Sequence, residues 1–448
     1  MSLCFSIFLA LILAAANLRA ADRPNVLFIA VDDLNCDVGS YGGVAVKTPN
    51  IDRLAARGVR FERAYCQYTL CSPSRMSFLT GLRPERTGIF DLKTPLRKPL
   101  PDAVTLPQVF RKGGYFAARI GKVFHDGRDD AASWDVSLEA APAHPGELAT
   151  VKARYSNKAG ARPPDWRPVE GEEAKLGDAI VASESLRLIE QAVREKRPFF
   201  VAAGFRKPHL PWVAPRRFFE MYPPAAVPAE PEIIGIPEIA LVTELGRAAP
   251  ASRAEAIAAY RACTSFIDSQ AGRLLDALDR LKLWDTTIVV LFSDHGFHLG
   301  DHGGLWAKLT LFEQAARVPL IIAAPGIAPG TSPRNVELLD LAPTLTELAG
   351  LPASAAFQGK SLAPLLADPN AEWKRPAHTM VYHGEHLGKS IRTDRWRYTE
   401  WDGGKAGIEL YDHTTDPAEY RNLAAEPAHA QTVAELKRLL SAGESAAP

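Results

Sequence analysis

The chain has 448 residues, enough for one large domain with a smaller one, or for two or three domains of average size. Apolar residues make up 47% of it and charged residues 23%, as is typical of a globular protein. Its 52 basic residues are balanced by 52 acidic ones, which excludes the global positive field by which proteins attract nucleic acid. An anionic ligand must therefore be bound by a few local cations.

Residues 1–20 have the features of a signal peptide. An apolar run from about Phe5 to Ala16 is followed by small residues and a cleavage position after Ala20. The run is shorter than a comfortable bilayer span, so we interpret it as an export signal and expect a periplasmic or secreted protein. A membrane anchor is the alternative. No later stretch of the sequence predicts stable membrane insertion.

The cysteines are too few for a disulfide framework. Cys4 is lost with the signal peptide, which leaves Cys36, Cys66, Cys71 and Cys263 in a long chain. An even number of cysteines would permit two disulfides in an exported protein. If Cys71 has a chemical role, however, at least one of the other three has no partner within the chain.

The middle of the chain alternates buried strands with amphipathic helices. Near-continuous apolar runs predict strands buried on both faces at Asn25–Val31, Pro198–Ala203, Thr287–Ser293 and Pro319–Ala324. Helical periodicity and end signals predict helices at Pro49–Arg57, Ala174–Glu195, Ser252–Leu283 and Glu337–Ala349. Strands that alternate with long helices indicate an α/β fold, in which a mainly parallel sheet lies between helices.

Two long segments interrupt this alternation, and the pattern changes again near the C-terminus. We interpret Asp126–Pro168 and Pro211–Pro250 as walls of a substrate cleft, with surface insertions lacking a role as the alternative. After Ala367, short β-branched and aromatic runs predict a small antiparallel sheet with one helix, at Thr379–His383, Ser390–Thr393, Trp396–Trp401, Glu409–Asp412 and Ala430–Leu440. We therefore expect a catalytic domain at 21–368 and a C-terminal α+β subdomain at 369–448.

Carboxylates follow two of the predicted strands. Asp32 and Asp33 come directly after Asn25–Val31, and Asp294 with His295 follows Thr287–Ser293. Ligands in open α/β sheets bind at the carboxyl ends of the strands, so these side chains are expected to meet at one edge. Three carboxylates there would repel one another unless a cation neutralised them, and hard oxygen donors suit Ca²⁺ or Mg²⁺. Considered alone, each of these two residue pairs would more often form a helix cap or a turn than bind a metal.

The segment Cys71-Ser72-Pro73-Ser74-Arg75 is the most specific feature of the sequence. It opens a predicted helix, Ser74–Thr80, on which Arg75 lies one turn along the same face as Cys71. An ordinary buried cysteine is one interpretation, since cysteine is common in protein cores. A thiolate nucleophile activated by the helix N-terminus and Arg75 is another.

The same segment matches the C-x-P-x-R signature of sulfatases, in which the cysteine is oxidised to formylglycine (3-oxoalanine). Other motifs of that family appear in family order between Asn25 and Trp401: NVLFIAVDDL, TPNIDRLAARG, CSPSRMSFLTGLRP, GKVFH, GFRKPHLP, SDHGFHLGDHG with WAK, and SIRTDRWRYTEW. The chain thus resembles the formylglycine-dependent sulfatases, and most of all their iduronate-2-sulfatase branch. This resemblance implies an alkaline-phosphatase-like fold with a large mixed, mainly parallel sheet.

The resemblance also implies a role for each matching position. The metal, Ca²⁺ in preference to Mg²⁺, would be held by Asp32, Asp33, Asp294, His295 and modified Cys71, although many sulfatases have Asn where His295 stands. The catalytic residues besides Cys71 would be Arg75, Lys122, His125, His209 and Lys308. Phe297 stands where iduronate-2-sulfatases carry a tryptophan that contacts the sugar. His302, Trp306 and Lys207 are weaker candidates for lining the pocket or contacting a substrate anion.

The implied chemistry explains why these residue types are needed. A hydrated aldehyde at Cys71 carries two hydroxyls, of which one attacks sulfur. His209 would give a proton to the leaving alcohol, and His125 would help the second hydroxyl to expel sulfate. Lys122 and Lys308 would stabilise charge on the sulfonyl oxygens. The implied partners are a sulfated carbohydrate, with a uronate-containing glycan as one option, and a formylglycine-generating enzyme. A phosphoester or phosphonate hydrolase, and an unmodified glycan-binding homologue, are the alternatives.

Overall fold

A computed structural model describes residues 23–43, 45–140, 166–227, 229–245 and 253–445, so the predicted signal peptide lies outside the described residues. The strands are β1 (Asn25–Asp32), β2 (Val59–Tyr65), β3 (Phe116–Gly121), β4 (Val136–Leu138), β5 (Trp166–Val169), β6 (Phe199–Pro208), β7 (Trp212–Pro215), β8 (Thr287–Ser293), β9 (His298–Gly300), β10 (Leu305–Ala307), β11 (Arg317–Val318), β12 (Leu320–Ala323), β13 (Gly330–Glu337), β14 (Ala377–His383), β15 (His386–Arg392), β16 (Trp396–Trp401) and β17 (Gly407–Asp412). The helices are α1 (Pro49–Ala55), α2 (Cys71–Thr80), α3 (Pro84–Thr87), α4 (Leu106–Lys112), α5 (Gly177–Arg194), α6 (Arg216–Phe219), α7 (Arg253–Leu281), α8 (Glu313–Ala316), α9 (Leu341–Leu348), α10 (Ala363–Ala367) and α11 (Ala430–Ser445).

The large sheet has nine strands in the order β11-β2-β12-β8-β1-β6-β3-β4, with β13 beside β2. The four strands β8, β1, β6 and β3 are neighbours and run parallel. Strand β12 is antiparallel to both of its neighbours. The mixed, mainly parallel sheet predicted from the sequence is therefore confirmed.

Strand β1 lies in the middle of this sheet, and its side chains alternate between two hydrophobic cores. Leu27, Ile29 and Val31 pack with residues of α1, α5 and α7. Val26 and Phe28 point to the other face and pack with residues of α2, α4, α9 and α10. A strand covered on both faces needs apolar residues at every position, and this explains the unbroken apolar run in the sequence.

The two long insertions contact each other on the face of the large sheet that α7 covers. Strand β5, at the end of the first insertion, pairs in parallel with β7, at the start of the second. Trp166 and Trp212 pack against each other here, with ring centroids 6.1 Å apart. Residues 141–165, 228 and 246–250 of the predicted cleft walls lie outside the described residues.

The C-terminal part forms the predicted small antiparallel sheet, in the order β14-β15-β16-β17. One face packs on α11 through Ile391, Tyr398 and Leu410. The opposite face contacts Leu70 and the chain around 305–312 through Met380, Val381, Trp401 and Tyr411. This sheet therefore supports two segments of the larger domain, while the boundary placed at residue 368 stays a prediction. No helix of the described residues is both long and apolar enough to cross a membrane.

Glu409 is expected to make the stability of this sheet depend on pH. Its buried carboxyl group accepts hydrogen bonds from Trp401 Nε1 (2.9 Å) and the Tyr411 hydroxyl (2.6 Å). Burial raises the pKa of Glu409 to about 7 from its ordinary value of 4.5. Because the folded pKa is the higher one, its contribution to stability is complete below pH 4.5 and is lost as the pH rises through 7.

Relative to Glu409→Gln, the wild-type protein should therefore lose about 3 kcal/mol of unfolding free energy between pH 4.5 and pH 8. Urea unfolding of both proteins at the two pH values measures this difference. Glu385→Gln, at an exposed position of the same sheet, should leave the wild-type pH profile unchanged. Equal profiles for wild type and Glu409→Gln would show that the buried group does not titrate in this range.

Candidate active site

Four neighbouring parallel strands each bring one polar residue to the same edge of the sheet. Asp32 ends β1, and Asp294 directly follows β8. His209 directly follows β6, and Lys122 directly follows β3. Because these strands run parallel and lie side by side, their carboxyl ends meet, as expected for a ligand site in such a sheet.

Cys71 lies at the centre of this edge. It is the first residue of α2, after Leu70 in an extended conformation, and its side chain is 1% exposed. Its sulfur lies 3.4 Å from Asp32 Oδ1, 3.2 Å from His295 Nε2 and 3.2 Å from Lys308 Nζ. The two carboxylate-bearing segments and Cys71, which the sequence predicted to meet, are therefore in direct contact.

Helix α2 begins three residues before the predicted start at Ser74, and it places Arg75 one turn beyond Cys71. Arg75 Nε donates to Asp294 Oδ2 (2.9 Å), and its Nη1 donates to the carbonyl oxygen of Lys122. Its Nη2 lies 3.3 Å from Asp32 Oδ1, yet no described residue accepts a hydrogen bond from it. Arg75 thus joins the ends of three strands and keeps one buried donor uncommitted.

Two lysines complete the set of cations. Lys122 forms a close ion pair with Asp32, and Lys308 Nζ lies 2.6 Å from Asp33 Oδ1. Lys308 is flanked by Ala307 (φ 75°) and Leu309 (φ 78°), both in the left-handed region that non-glycine residues seldom adopt. Such strain persists where the surroundings fix the backbone, and it is common at functional sites.

The carboxylates of the cluster equal its lysine and arginine side chains in number when His295 is left out. Three carboxylates, those of Asp32, Asp33 and Asp294, face three cationic side chains, those of Arg75, Lys122 and Lys308. A divalent cation would give this cluster a net charge of about +2, which suits the single negative charge of a sulfate ester.

Several ionisable groups of the cluster have shifted pKa values. Burial raises the pKa of Asp33 to about 7, although Lys308 opposes the rise. Burial would lower the pKa of His295, but the neighbouring Asp294 raises it to about 9. Burial would also raise the pKa of Asp32, but Lys122 and other cations hold it well below its usual range. The cluster attracts positive charge, as a cation site should.

The donor set fits a divalent cation. Ligand atoms of Asp32, Cys71, Asp294 and His295 all lie within 4.8 Å of one another. His295 Nδ1 lies 3.0 Å from the carbonyl oxygen of Gly296 and can donate to it, which leaves Nε2 facing the cluster. A histidine whose second nitrogen is fixed by a carbonyl group is the usual arrangement of a metal-binding imidazole.

The two other histidines predicted for the site lie beside the cluster. A ring nitrogen of His209 is within 4.8 Å of Cys71 Sγ and of an Asp33 oxygen, and its Nδ1 lies 2.6 Å from the Leu210 carbonyl oxygen. Burial, with help from Lys122, lowers the pKa of His209 well below its usual value. Burial and Lys122 also lower the pKa of His125 to about 4. His125 Nδ1 is buried with no hydrogen-bond partner in the described residues.

Lys122 and His125 do not lie on a helix. Strand β3 ends at Gly121 and a bend follows instead of a helix. Lys122 N donates to the Gly204 carbonyl oxygen (2.8 Å), which fixes the lysine at the end of β6. Its ammonium group reaches Asp32 from there.

Phe297 and the three weaker candidates pack outside the cluster. Phe297 packs on Tyr260 with ring centroids 5.6 Å apart, and Trp306 belongs to the same core. His302 is stacked between Phe312 and Tyr420. Lys207 is buried, and its Nζ points toward the carbonyl oxygen of its neighbour His209 (3.4 Å).

The sequence did not indicate two residues that adjoin the site. Asp178, in the first turn of α5, accepts hydrogen bonds from the backbone N–H groups of Arg206 (2.6 Å) and Lys207 (3.1 Å), just before His209. Glu244 Oε2 lies 3.8 Å from Lys308 Nζ. Only the acidic first turn of α5 could have suggested Asp178, and no local pattern marks Glu244.

Comparison with known proteins identifies the family. The sulfatase family model matches residues 24–351, and the model of the C-terminal part of N-sulphoglucosamine sulphohydrolase matches 300–445. A sulfatase of Formosa agariphila is 34% identical over 94% of this chain and 87% of its own length. Human iduronate 2-sulfatase is 31% identical over 90% of this chain and 91% of its own length.

A solved structure agrees with these sequence matches. The phosphonate monoester hydrolase of Agrobacterium radiobacter has a TM-score of 0.77 at 25% identity, over 95% of this chain and 96% of that protein. The likeness confirms the alkaline-phosphatase-like fold implied by the motifs. The chain therefore belongs to the sulfatase family and is a sulfuric ester hydrolase that is similar to iduronate 2-sulfatase over most of its length.

Proposed function

We propose that this protein removes sulfate from a sulfated carbohydrate, using a formylglycine made from Cys71 and one divalent cation. The observation that carries the proposal is the position of Cys71 Sγ, in direct contact with Asp32, His295 and Lys308. The carbohydrate class is supported by the likeness to human iduronate 2-sulfatase, whose name specifies a sulfated uronate. A uronate-containing glycan is accordingly one candidate substrate.

The metal would be held by Asp32, Asp33, Asp294, His295 and the modified residue 71. The four carboxylate and histidine ligands offer mainly hard oxygen donors, which favours Ca²⁺ over softer metals. When bound, the cation would supply Lewis-acid stabilisation of negative charge. Formylglycine would supply the attacking oxygen as its hydrate.

The remaining side chains have separate tasks. Lys308 and Lys122 border the position of Cys71 Sγ and would bind the sulfonyl oxygens, where negative charge develops during transfer. Arg75, with Nη2 uncommitted, orients residue 71 and Asp294. His209 would deliver a proton to the leaving alcohol oxygen. His125, whose lowered pKa keeps it neutral at pH 7, would accept the proton that must leave residue 71 when sulfate is expelled.

The alternative enzyme function is hydrolysis of phosphate or phosphonate esters. It is supported by the structural likeness to the phosphonate monoester hydrolase of Agrobacterium radiobacter. Sulfate and phosphonate esters of the same alcohol, assayed side by side, distinguish the two reactions. A higher kcat/KM for the phosphonate ester would overturn the sulfatase proposal.

Mass spectrometry tests the proposed nucleophile directly. The protein is produced together with a formylglycine-generating enzyme, and the peptide that contains Cys71 is compared with its unmodified mass. We expect a peptide about 18 Da lighter, because CHO replaces CH₂SH. An unmodified peptide in a protein that still hydrolyses sulfate esters would contradict the proposed nucleophile. An unmodified, inactive protein that binds sulfated glycans would instead support the binding-protein alternative.

Calcium binding should be measurable without an assay of activity. Adding Ca²⁺ at a hundred times its Kd to metal-free protein should raise the unfolding free energy by about 2.7 kcal/mol, and the melting temperature with it. Asp294→Asn should abolish most of this rise, since it removes a charged ligand. Asp285→Asn, at the exposed opposite end of β8, is the matched control and should keep it. An equal rise in both variants would place the cation elsewhere.

Export to the periplasm or beyond the cell, and maturation by a formylglycine-generating enzyme, are part of the same proposal. Both rest on features of the sequence, the segment 1–20 and the Cys71 motif. They can be tested by fractionating cells that make the full chain. Finding the protein with its first twenty residues intact in the cytoplasm would contradict the export signal.

A further inference from the structure

Glu244 is the acidic group on the solvent side of the site. Its carboxylate lies 3.8 Å from Lys308 Nζ, and its backbone N–H faces the Lys308 carbonyl oxygen at 3.4 Å. The same ammonium group lies 3.2 Å from Cys71 Sγ. One lysine therefore contacts both the position of the nucleophile and Glu244.

Glu244 is much more exposed than the carboxylates of the buried cluster. Its side chain is 36% exposed, whereas that of Asp33, on the other side of Lys308 Nζ, is 2% exposed. An exposed carboxylate is free to meet the substrate, while Asp33 faces the buried cluster. Glu244 is therefore placed to contact the alcohol part of the substrate and not the sulfate group.

Among the described residues, the partly exposed cation on the Lys122 side is already paired. On the Lys122 side, Arg206 and Asp126 form an ion pair of 2.8 Å, so their charges largely cancel. When Lys308 turns to a sulfate oxygen, the Glu244 carboxylate is left facing the bound alcohol. A negative group on that alcohol would be repelled and a positive group attracted, most strongly in a partly desolvated site.

We propose that Glu244 determines specificity, by selecting sulfate esters whose alcohol carries a cationic nitrogen close to the ester oxygen. The inference rests on the proposed sulfatase function and narrows its substrate class. An amino sugar with a free ammonium group has this chemistry, and so does a quaternary ammonium alcohol. A sulfated uronate, with a carboxylate near the ester, is disfavoured.

The test compares esters that differ only in charge. Choline sulfate is paired with 3,3-dimethylbutyl sulfate, in which carbon replaces the cationic nitrogen. Glucosamine 3-sulfate, whose ester is on the carbon next to the one that carries nitrogen, is paired with its neutral N-acetyl derivative. The wild-type enzyme should prefer the cationic member of at least one pair by about tenfold in kcat/KM. Which pair shows the preference identifies the kind of alcohol.

The variant Glu244→Gln should lower kcat/KM for that cationic ester by about tenfold more than for its neutral partner. Glu232→Gln removes the same charge at an exposed position of the same segment and should leave both esters unchanged. Activity on the neutral ester verifies that each variant is folded.

Two results would overturn the inference. An equal loss on both members of the pair would mean that Glu244 only positions Lys308. No preference by the wild type, in an enzyme that hydrolyses p-nitrophenyl sulfate, would also refute it while leaving the sulfatase function intact. Failure to hydrolyse any sulfate ester after modification of Cys71 would instead refute the proposed function itself.

Discussion

Replacing Cys71 by serine is expected to lower steady-state turnover of sulfate esters by at least about a thousandfold. A serine hydroxyl can attack sulfur, but it has no second hydroxyl on the same carbon with which to expel sulfate. The transferred group should therefore remain on the protein and add about 80 Da, the mass of SO₃. Intact-protein mass spectrometry after incubation with substrate measures this addition, alongside the loss of turnover.

Cys66→Ser is the matched control for this change. Cys66 is also fully buried, and its thiol faces the carbonyl oxygen of Ala315, which a hydroxyl can equally well contact. This variant should retain activity and gain no mass. Full turnover by Cys71→Ser would show that residue 71 does not form the covalent bond to sulfur.

Replacing His209 by glutamine is expected to lower kcat for one class of substrate more than for another. General acid catalysis contributes about 10²- to 10⁴-fold, and an alkyl alcohol needs its proton far more than a phenol with electron-withdrawing groups. In the free enzyme burial lowers the pKa of His209, and the negative charge of a bound sulfate ester should raise it again. We expect a loss of kcat of about 10³-fold for an alkyl sulfate and much less for p-nitrophenyl sulfate.

The two esters act as controls for each other, because both need the same folded site. Steady-state kinetics of wild type and His209→Gln on both esters gives the comparison. If the two losses are equal, His209 binds the sulfate group and does not protonate the leaving oxygen. A change in KM alone would lead to the same conclusion.

The parts of the site that the sequence predicted best are those fixed by strand ends. Asp32 and Asp294 follow unbroken apolar runs, and such runs are reliable signs of strands buried on both faces. Once both strands are placed in one parallel sheet, the carboxylates must meet. His209 and Lys122 follow strands as well, but only the family motifs indicated them. Strand β3 contains a buried arginine, Arg119, and was not recognised, while β6 extends to Pro208, five residues beyond its predicted end at Ala203.

The other missed strands of the large sheet are β2, β4, β11 and β13, and the reason is similar for β2 and β13. Strand β2 alternates apolar residues with Arg60, Glu62 and Arg63, and β13 contains glycine and proline. These strands pair with each other near the edge of the sheet, where partly exposed positions tolerate polar residues. Glu244 could not be predicted either, since it contacts Lys308 from a segment that has no periodicity.

The burial of Cys71 at the start of α2 has a consequence for the order of biosynthesis. With 1% of its surface exposed, the side chain cannot enter the active site of another protein once β1, β8 and α2 have packed together. Residue 71 is accessible to a second enzyme only while the nascent polypeptide is still unfolded. The proposed oxidation of this cysteine would therefore have to precede completion of the fold, and a chain that folded first would be inactive.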